Sequence, residues 1–398
     1  MTTLEMCGRK TLTHSRQRFP LDEIAIAPRH SKRHLSKSAM PTKNNKTTKT
    51  KSDLPIVLET IRDNKGIPAL ASAMQRDGNV IELASTGVRK LGKDVLVTND
   101  DLWHTGSCTK AMTATLAGIL IDGGNINWTT TIGEVFPDWK GKINDKWKAA
   151  TLEQLLCHHA GAPHQVLTWI WEKAQKDHQK DAQKQRQSFV HNVLQNPTAH
   201  SAGTAFCYSN AGYSIAGHML ETVMKCDWET LISENVFQPL GMDSAGFGAP
   251  GKAGKIMQPY GHELKKGVFK PIMPGPKADN PSLLAPGATV HCSLGDLLKF
   301  AASHAGTNAL VSEEVLHRLH RRYAASEYGA GWYVVERYWG RGYVLSHTGS
   351  NSYWFASMWV APYRKTAFVA VANAGGESAS SACNQAIDHL IVRHFGQR

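Results

Sequence analysis

From Ser107 to Asp122 the chain is apolar on most faces of a helix, with Met112, Leu116, Ile119, Leu120 and Ile121 spread around the axis. A helix without a polar face must be enclosed by other elements, so the fold is built around this segment. Gly123-Gly124 closes it, and glycine tolerates the left-handed turn at a helix end. Ser107 stands at its start, with Lys110 three places on. Residues three apart share a helix face. The first turn offers unpaired N–H groups and the positive end of the dipole, which favour negative charge on the serine oxygen. A partly buried amine beside it should titrate low and could accept the serine proton. This S-x-x-K occurs once in the chain. Alone, it also fits an N-cap serine followed by a solvated lysine.

The flanking segments predict a sheet built from both ends of the chain. Residues 55–64 read as a short helix stopped at Lys65-Gly66, and Pro68–Gln75 and Val80–Val88 as strands joined by an Asp77-Gly78 hairpin turn. From Gly331 onward the pattern is strand-like again: Trp332–Tyr338, Tyr343–His347, Tyr353–Val360 and Thr366–Ala372, then a helix over 379–394. Between the ends lie helical stretches at 151–159, 165–195 (one long helix or two shorter), 210–226 and 228–237, a Gly/Pro-rich stretch at 241–290 read mostly as loop, and a helix capped by Ser293. The expected fold is α+β: an antiparallel sheet built from both chain ends and flanked by helices, with a mainly helical insert. The expected parts are a tail over 1–52 and a catalytic domain over 53–395. Within that domain, 53–130 and 290–395 form the α/β part and 131–289 the helical part.

Two further motifs carry chemistry. Tyr208-Ser209-Asn210 occurs once, after a Gly-containing loop and just before a helix. A tyrosine beside an ammonium group should lose its proton more easily and act as general base or relay. Asn210 offers a donor and an acceptor to a substrate amide. His347-Thr348-Gly349-Ser350 ends a strand, where a glycine lets a substrate backbone pair with the edge. The tripeptide His-Thr-Gly also occurs as His104-Thr105-Gly106. The second copy is assigned the binding role because it ends an apolar strand; the first reads as the loop into the catalytic helix.

S-x-x-K, Y-x-N and H-T-G in this order resemble the serine β-lactamase and DD-peptidase superfamily, in the branch of class C β-lactamases, DD-carboxypeptidases and family VIII esterases. Leu155-Leu156-Cys157-His158-His159-Ala160-Gly161 resembles the family's LLxHxSG stretch, and Phe206 to Tyr213 its F-x-YSN-x-GY. Pro239-Leu240-Gly241-Met242 and Gly329-Ala330-Gly331-Trp332 match in kind. The resemblance covers about residues 55–395. It implies a serine hydrolase working through an acyl-enzyme on an amide, ester or D-amino-acid peptide. Ser107 would be the nucleophile and Lys110 and Tyr208 the proton carriers. Asn210, His347, Thr348, Gly349 and Ser350 would bind substrate, and the Ser107 and Ser350 amides would form the oxyanion hole. Ala160 departs from the family's serine, at a position read as structural. His347 departs from the lysine usual in β-lactamases: a largely neutral imidazole suits a substrate carboxylate less than a fixed cation does. This weakens an antibiotic-resistance reading and leaves peptidase, amidase and esterase activity open. A non-catalytic peptide-binding relative is the alternative.

Charge bears on partners. The net charge of +12 is concentrated in residues 1–52, which hold twelve Lys+Arg and three Asp+Glu, leaving 33 basic and 30 acidic side chains beyond. The tail is read as disordered, since it cannot bury enough apolar surface to offset its ordering. It lacks the interleaved aromatics of a nucleic-acid binder, and no nucleic acid is expected as partner. The expected partner is a small molecule or short peptide. No transmembrane segment is expected, since no apolar run reaches eighteen residues. No secretory signal is recognised, which suggests a cytoplasmic location; a transit peptide and a true start at Met40 remain open. Seven scattered cysteines without a CxxC read as reduced thiols. Nineteen histidines raise a metal reading, with Cys157, His158, His159 and His164 clustered, but no H-E-x-x-H is present. No metal or cofactor is expected, and His158 is read as a packing residue on its helix.

Overall fold

The structure, a computed structural model, describes residues 52–166, 168–177 and 181–396. The expectations for the tail concern residues outside these, Ser52 excepted. The first helix runs Leu54–Lys65, with Pro55 at its start and Gly66 left-handed at its end. The strands in chain order are β1 (Ala69–Arg76), β2 (Asn79–Gly87), β3 (Leu102–His104), β4 (Gly246–Phe247), β5 (Gly261–Lys265), β6 (Val268–Ile272), β7 (Val290–Ser293), β8 (Tyr333–Arg337), β9 (Gly342–Ser350), β10 (Phe355–Ala361) and β11 (Thr366–Ala372).

The main sheet has the order β2-β1-β11-β10-β9-β8 and is antiparallel throughout. The chain ends meet where β1 pairs β11, Leu70 opposite Ala372. The fold class is therefore α+β, as the two-ended pattern predicts. β1 is buried along seven of its eight residues and β11 along its whole length, which requires cover on both faces. The Leu54–Lys65 and Gly376–Phe395 helices supply one cover, through Leu58, Ile61, Ile387 and Leu390. The helix Thr109–Asp122 belongs to the core on the other face, with Met112, Leu116 and Leu120 buried.

Several segments differ from their sequence reading. The turn at Ser107 is a 3-10 turn, Gly106–Cys108, and the α-helix starts only at Thr109. Gly106 has φ +51, and its carbonyl accepts from Thr109 Oγ1 at 2.7 Å, which tightens that turn. The 151–159 helix shortens to Leu152–Leu156, so His158 lies beyond it with φ +61. The stretch 165–195 is two helices, Thr168–Asp177 and Ala182–Gln195. The supposed loop at 241–290 contains the β5–β6 hairpin, turned by Lys266-Gly267 with φ +51 and +78. Two left-handed residues are what a two-residue hairpin turn needs. Among the described residues no helix is long and apolar enough to cross a membrane.

Candidate active site

Three parts of the chain converge on Ser107. The first is its own helix. The Lys110 side chain is fully buried, and its Nζ donates to Ser107 Oγ (3.1 Å), Asn210 Oδ1 (2.6 Å) and the Gly287 carbonyl (2.9 Å). An ammonium has three donors, and here each has one acceptor. Burial still dominates and lowers the Lys110 pKa from 10.5 to about 7.

The second part is the segment before the helix Asn210–Met224. Ser209 caps that helix: it is extended (φ −144°, ψ 125°), its Oγ accepts from the Gly212 amide, and its hydroxyl donates to the Pro163 carbonyl at 2.6 Å. Residues two apart on an extended backbone point the same way, so Tyr208 and Asn210 face Ser107 together. The Ser107 side chain stands close enough to Tyr208 to favour its ionised form, and Lys110 Nζ lies 4.9 Å from the centre of the Tyr208 ring. The expectation that the tyrosine loses its proton easily is not met. Burial pushes its pKa well up, and the nearby Ser107 hydroxyl offsets only part of that. The same desolvation that discharges the amine disfavours a phenolate. Asn210 is also more committed than expected: its carboxamide oxygen accepts from Lys110.

The third part is the end of β9. β8 pairs with β9 only from Gly342 to Ser346, so among the described residues His347–Ser350 have no strand on that side. This is the edge that the second His-Thr-Gly was expected to offer. His347 itself is 2% exposed. Its Nδ1 contacts the Thr348 carbonyl at 2.7 Å, so that nitrogen carries the proton, and its Nε2 accepts from Tyr328 Oη at 3.0 Å. Burial, with Lys110 nearby, drops its pKa to about 3. Thr348 is half-buried and Ser350 exposed. A Cβ on Gly349 would collide with the Thr105 carbonyl and come within 2.5 Å of the Ser107 nitrogen. The two His-Thr-Gly copies therefore meet at their glycines, and the Ser107 and Ser350 backbones are neighbours.

The motifs do not carry every residue that builds this site. The Gly287 carbonyl belongs to a segment held by Thr113 Oγ1 on the Pro286 carbonyl (2.6 Å), Ser214 Oγ on the Leu283 carbonyl (2.9 Å) and buried Arg186 on the Ser282 carbonyl (3.1 Å). A backbone acceptor leaves no mark in a sequence. His158 does more than the packing role expected of it. Its carbonyl accepts from the Cys207 amide (2.8 Å), its Nδ1 from the Ser209 amide (3.2 Å), and its ring lies 4.3 Å from that of Tyr208. It holds the backbone on both sides of Tyr208. Its place in the LLxHxSG-like stretch was the available signal.

Among the described residues no group of three or more His, Cys, Asp or Glu side chains is arranged to hold a metal ion. Burial pushes the Cys108 and Cys157 thiols well up, against a thiolate nucleophile.

Comparison with known proteins bears on the family and the fold. The Beta-lactamase family model matches residues 57–390. Penicillin-binding protein 4 of Amycolatopsis lactamdurans is 25% identical over 320 residues, covering 76% of this chain and 80% of that protein. Of the next three curated relatives the chain spans 54%, 31% and 39%. Among solved structures, the octameric penicillin-binding protein homologue from Pyrococcus abyssi superposes with a TM-score of 0.70 at 20% identity, over 85% of this chain and 76% of that one. EstCE1, described as a hydrolase with promiscuous acyltransferase activity, superposes with a TM-score of 0.71 at 16% identity, over 85% and 98%. With a family match over most of its length and the family's fold around Ser107, the chain belongs to the beta-lactamase family, within its superfamily of serine hydrolases.

Proposed function

We propose that this protein hydrolyses esters or amides through an acyl-enzyme on Ser107. The observation that carries the reading is the buried Lys110 amine, 3.1 Å from Ser107 Oγ and lowered to about 7. Near neutral pH about half of such an amine is free base, the form able to take the serine proton.

Ser107 Oγ attacks the substrate carbonyl carbon as its proton passes to Lys110 Nζ. The carbonyl oxygen becomes an oxyanion, held by the Ser107 and Ser350 amides, each worth roughly 3 kcal/mol. The neutral Tyr208 phenol protonates the departing oxygen or nitrogen as its bond to the carbonyl carbon breaks, and the Lys110 ammonium then gives its proton to the Tyr208 oxygen. Water then attacks the acyl carbon as its proton passes to Lys110 Nζ, the bond from that carbon to Ser107 Oγ breaks, Lys110 returns the proton to Ser107 Oγ, and the acid is released. Asn210 offers its NH2 to the substrate carbonyl beside the scissile bond. His347 and Thr348 line the edge.

The substrate class follows from charge. His347 stays neutral and tied to Tyr328, so the family's usual cation for a substrate carboxylate has no counterpart at this position. Esters and amides without a carboxylate there fit best, ahead of β-lactams and D-Ala-D-Ala peptides. The test is a panel of short-chain p-nitrophenyl esters, nitrocefin and a D-Ala-D-Ala peptide, with Ser107→Ala as control. Ester cleavage that vanishes in Ser107→Ala supports the reading. Nitrocefin turnover faster than ester cleavage reverses the substrate ranking, and activity surviving in Ser107→Ala removes the mechanism.

A further inference from the structure

We propose that Asp279 and His104 are a positioning pair that fixes the backbone turn carrying Ser107. The inference rests on the hydrolase reading above and concerns residues that its chemistry does not use. His104 ends β3 and is completely buried. Its Nδ1 lies 3.1 Å from the Gly106 nitrogen and accepts that amide's proton. The imidazole proton is therefore on Nε2, which donates to Asp279 Oδ1 at 2.7 Å. A carboxylate on one ring nitrogen makes the other a better acceptor, as it does for histidines that hold metals. Here the beneficiary is a peptide N–H one residue before the nucleophile.

That peptide has to be held. Gly106 sits at φ +51, and the Cys108 amide is committed to the Thr105 carbonyl at 3.1 Å. With the amides of 106 and 108 both anchored, the Ser107 amide between them has a fixed direction. In the proposed mechanism it is an oxyanion donor, whose worth depends on standing ready before reaction.

The pair also joins the site's other parts. The His104 ring stacks on Trp354 (5.9 Å between centres, 29° between planes), and the Trp354 carbonyl accepts from Ser350 Oγ at 2.7 Å. On Asp279's own segment, the Ala278 carbonyl accepts from Asn351 Nδ2 at 3.0 Å, and Asn280 Nδ2 donates to the Ala288 carbonyl at 2.9 Å, next to Gly287. One carboxylate thus stands where the Ser107 turn, the Ser350 edge and the Gly287 loop meet. A merely space-filling pair would not need its second ring nitrogen aimed at the nucleophile's turn.

The experiment uses the full chain. A fluorophosphonate first labels the wild type but not Ser107→Ala; a wild type that resists labelling removes the hydrolase reading, and this inference with it. Given labelling, Asp279→Asn keeps the shape and an acceptor for Nε2–H but loses the charge, and Asp279→Ala loses both. We expect kcat on an activated ester and the labelling rate to fall about 10-fold in Asp279→Asn and about 100-fold in Asp279→Ala. KM should stay within about twofold, and the acid limb of the pH profile, set by Lys110, should not move. If Asp279→Ala does not fold, the isosteric Asp279→Asn decides. Wild-type kcat and labelling rate per titrated active site, with only the melting temperature lowered, would show a merely structural pair and overturn the proposal.

Discussion

Gly106 and Gly349, the last residues of the two His-Thr-Gly tripeptides, are packed against each other's backbone. A Cβ on Gly106 would strike the Ser350 nitrogen and lie 2.8 Å from the Gly349 carbonyl carbon; one on Gly349 would strike the Thr105 carbonyl. The close approach that the proposed oxyanion hole requires is possible only because neither residue has a side chain. Gly349→Ala should therefore cost at least about 1–3 kcal/mol of stability, the range for overpacking, and abolish ester cleavage in whatever folds. Chemical denaturation and a p-nitrophenyl ester assay check both. A folded, fully active Gly349→Ala protein would contradict this packing.

The Lys110 pKa sets a direction for pH dependence. Only the free amine accepts the Ser107 proton, so kcat/KM should rise with pH and level off above about 7. Stability follows the same sign. In the window from about 7 to 10.5 the unfolded chain holds a proton that the fold has shed, so Lys110's contribution to stability rises with pH there. A pH–rate profile with no limb near 7 would mean that another group is the base.

Tyr208→Phe should cut turnover by about 10²–10⁴-fold, the usual range for a positioned proton donor. The buried phenol is neutral up to high pH, so loss of its proton should not appear as a second activating limb. Esters with good leaving groups should suffer least, since they need the least protonation. An equal loss for activated and unactivated esters would argue that Tyr208 only positions Ser107.

His158 combines a left-handed backbone with an acceptor for the Ser209 amide. Asparagine tolerates φ near +60° better than most residues and carries an acceptor of similar reach. His158→Asn should retain most of the activity, while His158→Ala should lose about 10-fold or more through a displaced Tyr208. Identical activities for the two variants would show that neither contact matters to turnover.

Buried histidines should make the fold acid-sensitive. Burial lowers His304 and His347 to about 3 and His262 to about 4, and His158 and His320 well below 6.5. These rings are neutral in the fold and become charged on unfolding once pH drops below about 6.5. Stability is then lost as pH falls from about 6.5 toward 3, at about 1.4 kcal/mol per pH unit for each proton taken up. Melting temperatures measured from pH 7.5 down to 5 should fall steeply. A flat profile would mean that these rings are solvated.

Much of the fold could be read locally. Asp77-Gly78 marks a hairpin turn whose two residues are left-handed, at φ +48 and +80. Ser293 caps its helix by accepting from the Asp296 amide. Ser107 and Lys110 lie on one face because a helix repeats every few residues, and Tyr208 and Asn210 because an extended residue separates them. The β5–β6 hairpin is not legible in the sequence because the Gly- and Pro-rich composition around it masks the Lys266-Gly267 turn.

Local order along the chain is enough to place a serine, an amine and a phenol in segments that could meet, because periodicity and turn chemistry act over a few residues. The charge state of those groups was settled only in three dimensions. Enclosure from all sides lowers Lys110 and raises Tyr208, and the acceptors that hold Lys110 come from residues 107, 210 and 287. His104 and Asp279, 175 positions apart, share no local pattern that could announce their contact. Desolvation and long-range hydrogen bonding depend on what surrounds an atom, and neighbours in space are set by packing.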